Sequence, residues 1–360
     1  MSLSAVHRLM ERAVSRRHFP SACLLVALDG QPVLHRAYGR PDRLDVVYDV
    51  ASLTKVLATT AVTMQLVAEG ALDPDDRVTR YLPELERPET RDLRLAHLLA
   101  HASGLPDWLP LYRHPKVVAA APGRRRGVIR KLVAATPLRS PVGFETLYSD
   151  LGFILLDWVL ERCSGQRLDR LAHARLFAPL GLRRTLFVDL RRPERAAALR
   201  RAWPFAATER CPWRGRRLVA EVHDDNCHAM GGVSGHAGLF STAHEVHLLA
   251  RELVAAYHGG RSLLDRQVVR SFLRRRVRRG ASRVLGWDTP TPGGSSGRHF
   301  GPRSVGHLGY TGTSLWIDLE RQLWVVLLTN RVYHGREPNP MRAFRPRLHD
   351  TVLRALGLAG

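Results

Sequence analysis

Lysine is almost missing from this chain. Only Lys55, Lys116 and Lys131 occur, although Lys and Arg together number 55 against 33 Asp and Glu, for a formal charge of +22. Arginine stays protonated in proteins, so a site that needs a neutral amine has three residues to draw on. Cysteine is scarce as well. Cys23, Cys163, Cys211 and Cys227 are scattered with no CxxC pair, which argues against a disulfide framework or a structural zinc site and for reduced, mostly buried thiols. No run approaches the roughly eighteen apolar residues of a membrane helix. Residues 1–30 hold short apolar clusters broken by Arg and His, without the pattern of a secretory leader. These absences lead to the expectation of a soluble, cytoplasmic chain with no membrane partner.

The positive charge raises the question of nucleic acid, since Lys and Arg neutralising phosphates supply most non-specific affinity. Here arginine is spread along the whole chain, with local runs at 124–126 and 274–279 and no aromatic-interleaved basic stretch. Solvated arginine faces account for that pattern, and no nucleic-acid partner is expected. What is present is enough apolar material, 45% of 360 residues, for one large domain or two intimate lobes.

Val6, Leu9, Met10, Ala13 and Val14 recur at helical spacing, so the chain opens with an amphipathic helix. The β-prone runs 23–28 and 33–38 flank a turn with the Asp29-Gly30 signal, and 314–318 with 323–328 make a second hairpin. A last helix follows Pro340, with Met341, Phe344, Leu348, Val352 and Leu356 on one stripe. Between the ends, 93–100, 152–162 and 168–177 carry helical apolar patterns, and 289–303 is a Gly/Pro/Ser-rich loop. The predicted fold class is α/β (α+β): an antiparallel sheet flanked by terminal helices, with a mostly helical lobe inserted. The approximate lobes are 1–75 plus 235–360 for the sheet, and 76–234 for the helices.

Ser52-Leu53-Thr54-Lys55 stands where a β-prone segment, 46–50, gives way to a helical run ending near Gly70. Three residues apart on a helix, Ser and Lys lie on one face, which is nucleophile-plus-base geometry. At a helix start, the Ser backbone N–H is also placed to meet an oxyanion. The same four residues suit an N-capping Ser followed by a surface Lys. Two further elements follow in order: Tyr148-Ser149-Asp150, ahead of an apolar helix, and His307-Leu308-Gly309, leading into Tyr310 and the late hairpin.

Together the three elements resemble those of the serine β-lactamase, penicillin-binding-protein and class C-like esterase superfamily. The resemblance extends to 97–106 (HLLAHASGLP) and to 238–242 (GLFST), and runs from about residue 26 to 331. It implies the β-lactamase/transpeptidase-like fold over 1–360 as a single catalytic domain. It also implies a serine hydrolase that needs no cofactor and no metal. Ser52 would form the acyl-enzyme, Lys55 and Tyr148 would share proton transfer, and the N–H groups of Ser52 and Tyr310 would form the oxyanion hole. Gly309 would keep its strand open to substrate.

Two departures from the family pattern shape the expected substrate. His307 stands where penicillin-recognising members usually carry a lysine, and a neutral histidine offers no permanent cation to a carboxylate. Asp150 stands where many relatives have Asn, and its carboxylate should raise the pKa of Lys55, leaving Tyr148 to do more of the proton abstraction or Asp150 to face a substrate amine. The leading expectation is therefore cleavage of small esters, amides or D-amino-acid-containing peptides. A β-lactamase or D,D-carboxypeptidase is the alternative, and a catalytically inactive binding protein on the same fold is another. The cluster of His223, Asp224, Cys227, His228 and His236 matches no metal motif, and His223 with Asp224 is expected to line the cleft. His97 and His101, read as i, i+4 on a helix, are expected to pack.

Overall fold

A computed structural model describes residues 3–278 and 280–359; Arg279, the end of the second arginine run, lies outside them. The early strands are β1 (Ser21–Leu28), β2 (Gln31–Gly39) and β3 (Tyr48–Asp49). The middle of the chain contributes only short ones, β4 (Leu186–Phe187), β5 (Arg210–Cys211) and β6 (Arg216–Arg217). β7 (Leu239–Ser241), β8 (Val305–Leu308), β9 (Ser314–Asp318) and β10 (Leu323–Thr329) follow.

The two predicted hairpins lie side by side. An antiparallel sheet in the order β2-β1-β10-β9-β8 is closed by β1 against β10, from Ala22 opposite Thr329 to Leu28 opposite Leu323. The central strands are apolar at nearly every position because both sheet faces are covered. Ala22, Leu24 and Val26 pack with Leu323, Val325 and Leu327 under the terminal helices Ser4–Ser15 and Met341–Ala355. Cys23, Leu25 and Ala27 point the other way, with Trp324, Val326 and Leu328, into the main core. Burying each Met, Phe, Leu or Val of the terminal helices contributes about 2 kcal/mol.

That main core also takes in the helices Leu95–Leu99, Pro122–Ala135, Asp150–Ser164 and Ala243–His258, so the expected fold class holds. The helices at 97–101 correct one expectation. The helix stops at Leu99, and His101 turns out of it with φ +56°, so His97 and His101 do not share a helix face.

A three-stranded sheet, β3-β7-β4, sets the start of the central helical stretch. Tyr48 pairs with Ser241 and Asp49 with Phe240. Residues 51–68 then run as a 3₁₀ turn, Ala51–Leu53, a π-helical segment, Lys55–Thr60, and an α-helix, Ala61–Ala68. Contrary to the expectation from sequence, this stretch is long and apolar enough by composition to match a membrane helix, but 72% of it is buried inside the protein. Its apolarity is spent on the core through Leu53, Val56, Leu57, Ala58 and Val62.

Candidate active site

Ser52 sits in the 3₁₀ turn directly after Ala51, whose φ of +49° is unusual for a residue with a Cβ. The Ser52 hydroxyl caps nothing; it accepts a hydrogen bond from Lys55 Nζ at 2.9 Å. Lys55 is fully buried, and its ammonium also donates to Asp150 Oδ1 at 2.6 Å and to the His236 carbonyl at 3.0 Å. Three donors thus meet three acceptors, which is what lets a charged lysine stay inside. Asp150 is the first residue of its helix, with Ser149 as the N-cap, and this places its carboxylate over Lys55.

Tyr148 completes the group. Lys55 and Ser52 both favour its ionised form, and the ammonium lies 4.9 Å from its ring centroid. Its ring packs on His101 at 4.5 Å, so His101 does serve in packing, as a wall behind Tyr148. Burial alone would lower the Lys55 pKa, but the Asp150 carboxylate and then Tyr148 outweigh it, and the net shift is upward. Burial also raises the Tyr148 pKa, against the opposing pull of Lys55. Lys55 therefore rests as an ammonium, as expected from Asp150. Tyr148 rests as a phenol, which argues against it as the resting base.

These residues open into a cavity of about 650 Å³ lined by Ser52, Tyr148, Asp150, His223, His307, Gly309 and Tyr310, so the sequence-selected residues meet in one place. Neither the Ser52 N–H nor the Tyr310 N–H is taken up by another described residue, as an oxyanion hole requires. The Tyr310 ring is stacked on His223 at 5.6 Å. His307 is buried and neutral: burial, then Lys55 and Arg283, hold its pKa well below the usual histidine range, and its Nδ1–H donates to the Leu308 carbonyl at 2.9 Å. Gly309 lines the cavity, yet the bareness of its Cα has a packing cause. A Cβ there would stand 2.0 Å from Thr313 Oγ1 and 2.6 Å from the Val50 carbonyl.

The metal-like histidines pair off with separate acids: His236 with Asp224 at 2.9 Å, His228 with Glu221 at 3.1 Å, and His223 with Glu209 at 3.4 Å. Asp224 lines the cavity as expected. Several cavity-lining positions were not singled out from the sequence. Asp107 and Trp108 line the cavity directly after the HLLAHASGLP segment, a proximity that was there to be read. Arg283, Arg336, Arg342 and Arg345 also line it, hidden among the many arginines. Arg283 lies 5.1 Å from the Tyr148 ring and 3.6 Å from Asp288.

A Ser-Lys-Tyr group beside a cavity, with its lysine buried and its serine and tyrosine partly exposed, is the arrangement that nucleophilic acyl chemistry needs. The chain belongs to the beta-lactamase family, whose model it matches over residues 6–346. Among curated proteins it is 31% identical over 357 residues to one from Escherichia coli K12 named "Putative D-alanyl-D-alanine carboxypeptidase", covering 89% of this chain and 81% of that one. A Salmonella typhi protein of the same name is 31% identical over 356 residues, with the same coverage. Among solved structures, an octameric penicillin-binding protein homologue from Pyrococcus abyssi superposes with a TM-score of 0.75 at 19% identity, over 99% of this chain and 78% of that one. Unliganded simvastatin synthase from Aspergillus terreus gives 0.72 at 20% identity over 99% of both chains. The protein is a serine hydrolase with the β-lactamase/transpeptidase-like fold.

Proposed function

We propose that the protein cleaves small esters, amides or D-amino-acid-containing peptides through an acyl-enzyme on Ser52. One observation carries this: Lys55 Nζ bridges Ser52 Oγ and Asp150 Oδ1 at 2.9 and 2.6 Å beside an open cavity. With Lys55 an ammonium and Tyr148 a phenol, Asp150 is the group of the three with a free lone pair for a proton. As Ser52 Oγ bonds to the substrate carbonyl carbon, its proton passes to Lys55 while Lys55 hands one to Asp150. The oxyanion gathers on the N–H groups of Ser52 and Tyr310. Collapse of the tetrahedral adduct breaks the bond to the leaving group, which takes a proton from Tyr148 or Lys55. Water then releases the acyl group by the reverse route.

A D,D-carboxypeptidase is the second reading, favoured by the name its curated relatives carry. His307 alone argued against a carboxylate-bearing substrate, but the guanidiniums of Arg283 and Arg342 line the same cavity and supply positive charge. Small molecules are the proposed partners. The cytoplasm remains the proposed compartment, in accord with four unpaired cysteines; cell fractionation tests it. The deciding experiment labels the parent and Ser52→Ala with a fluorophosphonate and a fluorescent penicillin, and measures D-alanine release from a D-alanyl-D-alanine peptide. Fluorophosphonate labelling that disappears in Ser52→Ala is the expected result. No labelling of the parent by either probe would overturn the proposal, and penicillin labelling with D-alanine release would replace the first reading by the second.

A further inference from the structure

Asp49 has no place in the proton route, yet it is a buried carboxylate three residues before Ser52, and both of its oxygens are used. Oδ1 accepts the N–H of Ala51 at 2.8 Å and Oδ2 accepts the N–H of His223 at 2.7 Å. The first bond holds the left-handed residue, φ +49°, that directly precedes Ser52 at the edge of the cavity. The second holds the segment whose His223 ring is stacked on Tyr310, bearer of the other oxyanion donor. The Asp49 backbone joins in, since its carbonyl accepts from Thr311 Oγ1 at 2.8 Å, next to Tyr310. The neighbouring Val50 carbonyl accepts from Thr313 Oγ1 at 3.0 Å. Residues 49 and 50, with the ring stack they support, thus tie the two donors' segments together.

A left-handed alanine costs about 1–2 kcal/mol and persists only where its surroundings enforce it. A carboxylate accepting its N–H from two residues back is such an enforcement. Burial raises the Asp49 pKa, and the two backbone N–H bonds oppose that rise.

We infer that Asp49 is a positioning residue of the oxyanion hole: its carboxylate clamps Ala51 and His223 so that the N–H groups of Ser52 and Tyr310 converge on one point. This rests on the acyl-enzyme reading of Ser52. An asparagine keeps the shape but offers one acceptor oxygen, so one clamp bond must break and an NH₂ must face an N–H.

The test measures the rate of Ser52 labelling by a fluorophosphonate, and kcat and KM for p-nitrophenyl acetate, in the parent, Asp49→Asn, Asp49→Ser and Asp49→Asn/Ala51→Gly, each with a thermal melt. Losing one oxyanion donor costs about 10²–10³ in kcat, so a loosened pair should slow labelling and kcat about ten- to a hundredfold with KM little changed. Glycine adopts the positive φ unaided, so Ala51→Gly should restore roughly fivefold of the loss in the Asn background. A merely structural role would show no such rescue. Folded Asp49→Asn that labels at the parent rate, or a loss that Ala51→Gly does not relieve, overturns the inference. Failure of both single variants to fold overturns it too, because Asp49 would then hold the fold rather than the hole. A parent that does not label at all removes the acyl-enzyme reading first, and this one with it.

Discussion

At the scale of single residues, the site turns on one buried charge. Lys55 is tolerable inside because Asp150, Ser52 and the His236 carbonyl take its three protons. Asp150→Asn removes the largest influence that raises the Lys55 pKa and leaves Tyr148 alone to oppose burial, which lowers it. If the serine proton travels through Lys55 to Asp150, the variant loses its acceptor, and kcat/KM at pH 7 should fall about a hundredfold or more, the usual worth of a positioned acid or base. The residual rate then requires Lys55 to lose its own proton, so the acid limb of the pH profile should move to higher pH. A profile from pH 5 to 10 that overlays the parent's would remove Asp150 from the route. Ser52 and Lys55 were legible in the sequence because three-residue spacing is a local property of helices. The Asp150 contact was legible as electrostatics though it spans 95 positions. Asp49 was not legible, since its role depends on a left-handed alanine that no residue pattern announces.

At the scale of elements, periodicity and turn chemistry carried most of the reading. β1, β2, β9 and β10 were readable because β-prone runs flanked turn residues, and their adjacency follows from burying both faces of one sheet. The π-helical segment around Lys55 and the abrupt end of the helix at Leu99 were not readable, because neither is announced by apolar spacing or by a Gly or Pro at the point of change. Gly309 shows how one residue can have a packing role as well as a place at the cavity. Its freedom from a side chain lets the β8–β9 turn close on Val50, two residues before the nucleophile, and Arg345 fastens that turn from behind through the Gly309 and Thr313 carbonyls at 2.8 and 2.9 Å. Gly309→Ala should therefore cost about 1–3 kcal/mol of stability by overpacking against backbone. It should also lower kcat by more than the small unfolded fraction explains, because the Tyr310 N–H moves away from Ser52. Gly127→Ala is the comparison: it lies inside the helix Pro122–Ala135 with open space at its Cβ, and should gain up to about 1 kcal/mol with activity unchanged. Equal effects of the two alanines on melting temperature and kcat would refute the packing account of Gly309.

At the scale of the whole molecule, the charge of +22 and the buried histidines act in the same direction. Acidification adds positive charge to a chain already repelling itself, and it must also protonate histidines that the fold keeps neutral. Burial pushes His247 and His349 down to about 4 from an ordinary value of 6.5. The unfolded chain therefore takes up these protons first. The stability linked to each is fully present above pH 6.5 and is lost as pH falls from 6.5 to 4, on the order of 3 kcal/mol per residue. Salt separates the two causes, since it screens long-range repulsion but leaves the cost of charging a buried ring. His349 offers the cleaner test: its Nδ1–H donates to the Ser295 carbonyl at 2.8 Å, a bond glutamine can replace. Denaturant unfolding of the parent should lose stability steeply between pH 6.5 and 4.5 even in high salt. His349→Gln, whatever its constant offset at pH 7.5, should lose less over the same interval, by about 2–3 kcal/mol. A variant whose stability falls in parallel with the parent's would mean that His349 takes up its proton as readily in the folded state as in the unfolded chain, and would remove its share of the acid sensitivity.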